Sequence, residues 1–501
     1  MPLIATEEEE GGRLRATPKF TQRVGVLVAL PTQTLAKLFV EPMETMTSLR
    51  THPMRLNLAA GFDEGNVKNG SRKYSRATLA AFSIGTYLAW TNVTLVTRFK
   101  KDAFVVKQKV FWVTLLVPLA AVLGIMPVRM LANRFGHKRT IWAITVPLCL
   151  SWYIIAFAKS KIWIFLALFA AGAACGAASV VVPMFISEIA ERSTGGLFGV
   201  AFQLQITAGI LFTYATAFTY NLPSTAILCS VAPTLLLISF PFVPESPAWL
   251  VMRGRKDEAY DALRRFRGWP RYRIETELTR LELYAAKVRV GISELKNHRR
   301  PTCIMLGLII LQQFSGVTVL LIYANGIFNI SKVSSPSPLE SSVIIGGVQV
   351  IATCFSNIII KWVDKKLLLF LSASDSHDLS RVFWVPVLSI AVFLAAFSLG
   401  FASIPWMIIS ELFDSSVRSA ACFAGAMCSW MSAFLAIKCF QCIDDLVGIS
   451  SSFAMFGMVN LIGTVFVSAL VPAAKSRSEE EVQIELYLAR NRIPGESMSE
   501  T

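Results

Sequence analysis

Apolar stretches of roughly twenty residues, separated by short polar connectors, recur along most of this chain. A helix needs about 20 apolar residues to cross roughly 30 Å of hydrocarbon. On that criterion, spanning helices are expected at 77–96, 110–128, 140–158, 162–187, 197–219 and 222–243. Beyond a charged stretch they resume at 301–325, 339–361, 382–410, 419–441 and 449–472. Residues 16–42 also hold apolar positions, but Pro31, Lys37 and Pro42 interrupt them, so 1–76 is expected to be a tail. Between Lys366 and Asp375 only Leu367 to Ser374 are available. Eight residues rise about 12 Å as a helix, well short of the hydrocarbon core. Extending them as a strand would strand peptide groups in lipid at several kcal/mol each. A degenerate ninth helix within a nominal set of twelve fits best, with Asp375 to Arg381 as an outer loop. The alternatives are an inverted orientation of the last three spans, or coding sequence missing from the chain.

Composition sharpens this picture: 54% of residues are hydrophobic and 16% are charged. The formal charge of +15 would point to nucleic acid if the basic residues lined one folded face. Instead they gather in connectors and tails, with fourteen Lys or Arg against eight Asp or Glu between 244 and 300. Arg129, Arg134, Lys138 and Arg139 follow the second span, so that connector and the long basic loop are expected to be cytosolic. The implied partner of this charge is the anionic inner leaflet. The connector 97–109 is also basic, but it is outweighed by the larger loop. In that loop, Ala259, Leu263 and Phe266 recur at helical spacing before Gly268, and Ile274, Leu278, Leu281 and Ala285 repeat the pattern. Short amphipathic helices under a bundle are expected there. The nine cysteines lie in or beside apolar runs, which excludes a zinc or disulfide framework as the organising principle.

Two local patterns occur twice. Pro183 to Glu188 is echoed by Pro405 to Glu411, with the glutamates 223 positions apart. Asn133, Arg134, Lys138 and Arg139 are echoed by Asp364, Lys365 and Lys366 after the eighth span. A duplicated six-span unit points to a carrier whose site lies between two halves near the bilayer midplane. Five motifs then stand in order: Asn133-Arg134-Phe135-Gly136-His137-Lys138, Val182-Pro183 through Glu188-Ile189, Pro244-Glu245-Ser246-Pro247, Gln312-Gln313-Phe314-Ser315-Gly316, and Ile404-Pro405-Trp406 with Glu411-Leu412-Phe413. In this the chain resembles the sugar porters of the major facilitator superfamily, and among them the arthropod facilitated trehalose transporter type, over about residues 74–485.

The resemblance implies an all-α membrane protein with a two-lobed bundle: an N-lobe at 77–243, the cytosolic loop at 244–300, a C-lobe at 301–472 and a cytosolic tail at 473–501. It implies an inner charged network of Asn133, Arg134, Lys138, Glu188, Glu245, Asp364, Glu411 and Arg418. Several positions depart from the family. Arg129 stands where a Gly is usual, Leu168 and Gly195 where arginines are usual, Ala248 replaces Arg after Pro247, and Ala402-Ser403 replace Gly-Pro. These losses are expected to leave Glu188 without its family partners.

Within the spans, Lys438 is the one clear mid-helix ionisable residue. Buried charges in membranes mark ion paths or charged ligands, so an uncharged substrate is expected. Amides are frequent instead: Gln203, Gln205, Gln312, Gln313, Asn325, Gln349, Asn357 and Asn460. Each offers two donors and an acceptor with two lone pairs, suited to replacing water around hydroxyl groups, while an indole face suits the C–H face of a sugar ring. Any one membrane amide is more often interhelical glue. By family position, the expected substrate contacts are Gln203, Gln312, Gln313, Trp406 and Trp430, with Gln349, Thr318 and Ser429 at positions where the family has Asn. Gly172 and Gly176 form a small-residue stripe suited to close packing. Asn92-Val93-Thr94 and Asn329-Ile330-Ser331 match the glycosylation sequon.

The expected activity is transport of a neutral sugar, a hexose or trehalose-like disaccharide, by a multi-pass protein of the plasma membrane, without cofactor or metal. Helix one carries no Asp or Glu within its span, which favours facilitative uniport over proton symport. The alternative is a sugar-binding receptor or degenerate paralogue that no longer cycles. An enzyme is disfavoured, since His52, His137, His298 and His377 all lie outside the spans.

Overall fold

The computed structural model describes residues 64–98, 103–189, 195–287, 292–330, 338–359, 385–402, 404–413 and 415–470. The expected short segment at 367–374, Asp364, residues 1–63 and the C-terminal tail lie outside them; residues 64–76, expected as part of the N-terminal tail, are instead the start of the first helix. All regular structure among the described residues is helical. The first six helices are α1 (Glu64–Arg98), α2 (Ala103–Phe135), α3 (His137–Phe157), α4 (Lys161–Ile189), α5 (Gly195–Thr219) and α6 (Leu222–Ser239). Three short helices follow: α7 (Pro247–Met252), α8 (Lys256–Arg267) and α9 (Arg271–Lys287). A 3-10 turn at Ile292–His298 leads into α10 (Arg299–Phe314), α11 (Val317–Ile330), α12 (Pro338–Ile359), α13 (Val385–Leu399), α14 (Ile404–Leu412), α15 (Ser415–Leu446) and α16 (Ile449–Leu470).

Among the described residues, eight segments are long and apolar enough to cross a membrane, and α12 adds the shorter apolar stretch Leu339–Phe355. Their outward faces carry large exposed apolar side chains, such as Leu123, Met126 and Met130 on α2 and Met458, Leu461 and Val465 on α16. Such faces need a lipid solvent. The buried side chains form two main cores, one built from α1 to α6 with α7 and α8, the other from α10 to α16. Two separate cores make two lobes. They meet where α5 packs on α12, α2 on α15, and α1 on α11.

Small residues set the packing inside the first lobe. A Cβ at Gly176 would stand 2.1 Å from the Ala121 carbonyl oxygen, and one at Gly172 would stand 2.7 Å from that of Val117. The small-residue stripe of α4 therefore lets its backbone touch α2, as van der Waals packing in lipid requires. On the other side, Tyr87 of α1 stacks on Trp152 of α3 at 4.3 Å and donates to the Leu148 carbonyl at 2.7 Å. Asn92 is buried within α1 and its Nδ2 donates to the Tyr214 hydroxyl at 3.2 Å, so this sequon position is a structural amide and no glycan acceptor. Asn329 falls in the last turn of α11, where a loop was expected.

The loop helices form as their spacing foretells. Ala259, Ala262, Leu263 and Phe266 of α8 are buried, and Gly268 ends the helix at φ 63°. Ile274 of α9 is buried, and Leu278, Leu281 and Ala285 pack against the first core.

Two expected spans are broken. The apolar run 301–325 divides at Ser315-Gly316, where Gly316 adopts φ 96°, a conformation that costs other residues strain. The run 382–410 divides between Leu399 and Ile404, and Pro405 sits at the start of α14, where its missing N–H costs nothing. Continuous hydropathy hid both breaks.

Candidate functional site

A helix break in lipid frees carbonyls that need donors, and here each break receives one from a buried amide side chain. Gln312, at the end of α10, donates Nε2 to the Phe401 carbonyl at 2.6 Å, with the Ala402 carbonyl at 3.5 Å. Asn460 of α16 donates to the Ser315 carbonyl at 3.4 Å. Thus two of the amides in the sequence hold the interruptions of the second lobe in register. Gln312 Oε1 is buried without a hydrogen-bond partner.

Beside these breaks, between the lobes, lies a cavity of about 230 Å³. The first lobe lines it from α1 (Ile84, Leu88), α4 (Ser179, Pro183) and α5 (Phe202, Gln203). The second lobe contributes Gln312, Gln313, Thr318, Gln349, Trp406, Ser429 and Trp430. All eight residues expected to contact substrate therefore surround one space, although they come from six helices of both lobes. Trp406 packs against both main cores. Trp430 crosses the gap, its Nε1 donating to Ser179 Oγ at 3.0 Å. Gln313 is held at both ends: Nε2 donates to Ser429 Oγ at 2.9 Å, and Oε1 accepts from Thr318 Oγ1 at 2.7 Å. Gln349 is 1% exposed, with Oε1 unpartnered. Among the described lining residues Arg418 is the one charged side chain; its Nη2 donates to the Phe413 carbonyl at 3.3 Å.

The other amides lie elsewhere. Gln205 is buried in α5 away from the cavity lining, and the side chains of Asn325 and Asn357 are outside the described set. Lys438 is exposed on α15.

The cavity is asymmetric. Toward the end that bears α7 to α9 it is lined by Ile186, Ser187, Arg418 and Cys422. At the other end the lobes are tied. The Tyr214 hydroxyl of α5 donates to the Leu321 carbonyl of α11 at 3.1 Å, and Thr114 of α2 pairs with the Tyr323 hydroxyl at 3.4 Å. Gln441 also donates to Tyr323. Sequence reasoning missed these tyrosines, because nothing local marks a hydroxyl that bridges lobes.

The charged residues of the inner motifs assemble mainly around the α2–α3 turn. Glu245 Oε1 accepts from the Lys138 N–H at 2.8 Å and the Ser246 N–H at 3.0 Å. Trp249 Nε1 donates to the Asn133 carbonyl at 3.0 Å, and Arg253 donates to the carbonyls of Asn133 and Arg134 at 2.8 and 3.1 Å. Asn133 and Arg134 thus contribute backbone, their side chains being exposed. Glu188 is not left alone, as the missing arginines had implied. It accepts from the Ser246 hydroxyl, and His137 Nδ1, buried at 2% exposure, lies 3.4 Å from its Oε2. One substitute partner, Ser246, comes from the motif in which Ala248 replaces Arg, and the other, His137, from the α2–α3 turn. The Glu411 side chain and all of Asp364 are outside the described residues.

Two lobes of lipid-facing helices around a shared, largely apolar cavity that holds a few amides and hydroxyls, with broken helices at its wall, define a membrane carrier of the major facilitator type. The chain belongs to the sugar (and other) transporter family, whose model matches residues 68–486. It is 30% identical to the facilitated trehalose transporter of Polypedilum vanderplanki over 81% of this chain and 84% of that protein. To the facilitated trehalose transporter of Bombyx mori it is 27% identical, over 78% and 81% of the two chains. Its fold is similar to that of the proton:xylose symporter of the major facilitator superfamily solved with 6-bromo-6-deoxy-D-glucose, with TM-score 0.71, 18% identity, and coverage of 85% of this chain and 100% of that one. It is likewise similar to a partially occluded inward open form of the xylose transporter from E. coli, with TM-score 0.67, 20% identity and coverage of 81% and 98%.

Proposed function

We propose that this chain carries a neutral sugar, a hexose or a trehalose-like disaccharide, across the plasma membrane by facilitative uniport. The observation that carries the reading is the single cavity shared by Gln203, Gln312, Gln313, Gln349, Trp406 and Trp430. Apart from Arg418 at one end, its polar groups are mainly amides and hydroxyls, and its walls are largely apolar, the usual form of a small-molecule site. No carboxylate is among the described lining residues, and α1 presents Ile84 and Leu88 there, so no group on α1 is placed to change protonation with the cycle. Leu168, where the family has Arg, is buried in the first core.

In this reading the end with α7 to α9 faces the cytosol and the anionic inner leaflet, as do the segments 1–76, 244–300 and 473–501. The cavity then opens inward, with Tyr214 and Tyr323 closing the outer end. Alternating access consists of parting those tyrosines while the inner ends of α4 and α15 approach, which brings Glu188 toward Arg418.

The test is uptake of labelled D-glucose and trehalose into proteoliposomes. Saturable uptake, trans-stimulated counterflow and indifference to a protonophore are expected. Loss of uptake when the pH gradient is collapsed would refute uniport. Bound sugar without counterflow would favour a receptor.

A further inference from the structure

Resting on the sugar-carrier reading, the cavity divides its glutamines into two kinds. Gln312 and Gln349 are 5% and 1% exposed, line the cavity, and each has a buried Oε1 with no partner. Burying an acceptor unpaired is costly, so a ligand hydroxyl that donates to either oxygen gains the full benefit of the contact. Gln313 is the opposite case. Its carbonyl accepts from Thr318 at 2.7 Å and its amide nitrogen donates to Ser429 at 2.9 Å. A sugar that used Gln313 would have to exchange existing bonds rather than add new ones, which brings little net gain.

We infer that Thr318 and Ser429 are positioning residues that set sugar affinity by sequestering Gln313, so that recognition falls on the unpaired acceptors of Gln312 and Gln349. Both hydroxyls sit one on each side of Gln313: Thr318 on the first turn of α11, Ser429 midway along α15. The break at Gly316 is what lets this happen, because it turns the start of α11 so that Thr318, five residues on, reaches back to the Gln313 side chain. The preferred substrate is a polyol that offers hydroxyl donors to two carbonyl acceptors, and removing either lock makes Gln313 available as an additional contact.

This assigns a sign that a direct contact would not have. If the hydroxyls touched sugar themselves, deleting them would raise KM. If they lock Gln313, deleting them lowers it. The experiment measures counterflow of labelled D-glucose and trehalose with the full-length chain in proteoliposomes, normalised to folded protein recovered by fluorescence-detected size exclusion. Thr318→Val and Ser429→Ala are each expected to lower KM for the better substrate by about fivefold, the scale of one net hydrogen bond. Thr318→Ser, which keeps the donor, is expected to retain the wild-type KM. In a Gln313→Leu background the effect of Ser429→Ala is expected to vanish. Ser429→Ala stands alone as a test if the Val variant fails to fold. A rise in KM in either variant, or an equal fall without Gln313, overturns the inference while leaving the carrier reading intact. Absence of saturable uptake of both sugars by the wild type overturns the carrier reading and this inference together.

Discussion

Replacing Gly85 by Ala adds one methyl group, and the structure says where it goes. The new Cβ would stand 2.0 Å from the carbonyl oxygen of Ile206, with the carbonyl carbon at 2.9 Å. Contacts under 3.0 Å are essentially never made by real Cβ atoms, so α1 and α5 must separate by about 1.0 Å at this point. The obstacle is backbone on both sides and no rotamer change relieves it. Overpacking of this kind costs about 1–3 kcal/mol, and a gap of 0.5–1 Å forfeits about a quarter to a half of the dispersion energy of the flanking contacts. The displacement also reaches the cavity, because Ile84 and Ile206 both line it and Gln203 sits one turn before Ile206. Gly85→Ala is therefore expected to lower the melting temperature of the detergent-solubilised protein by several degrees and to raise KM for sugar. Gly347→Ala and Gly457→Ala, where nothing lies within 4 Å of the added atom, are the matched controls. A Gly85→Ala protein that melts with the wild type and the controls would refute the close-approach argument.

Trp430→Phe keeps an aromatic wall but loses the 3.0 Å bond to Ser179, so its KM should rise by about two- to fivefold, while Trp430→Ala should cost at least about tenfold; labelled-sugar uptake separates them. Ser246→Ala removes both the donor to Glu188 and the cap that accepts from the Trp249 N–H at 3.3 Å, and a loss of about 0.5–2 kcal/mol should appear in thermal unfolding. Arg253→Ala frees the Arg134 carbonyl and leaves that of Asn133 to Trp249 alone, so hydrogen exchange should quicken across Asn133 to Lys138. Arg253→Lys should rescue it only in part, lacking the planar fork; full rescue would show that charge alone suffices.

The helical bundle was legible because lipid leaves one solution for an apolar run: a helix that satisfies its own peptide groups. The cavity lining was legible because motif position places Gln203, Gln312, Gln349 and Trp406 on faces that a two-lobed fold turns inward. The breaks were not, since Ser315-Gly316 and Gly400 to Ala402 are too short to lower hydropathy over a whole span, although Gly316 and Pro405 mark the spots. Nor could sequence show that Gln312 would spend its amide nitrogen on a carbonyl 89 residues away, or that His137 and Ser246 would gather at Glu188. Those pairings belong to helix ends that meet only in three dimensions.

The way Gln312 and Asn460 hold the interruptions in the second lobe has a mechanical corollary. With Gln312 fastening one fracture to the other and Asn460 pinning the first, α11 and α14 are spokes on a common pivot. Tilting either transmits torque to its counterpart through a single side chain.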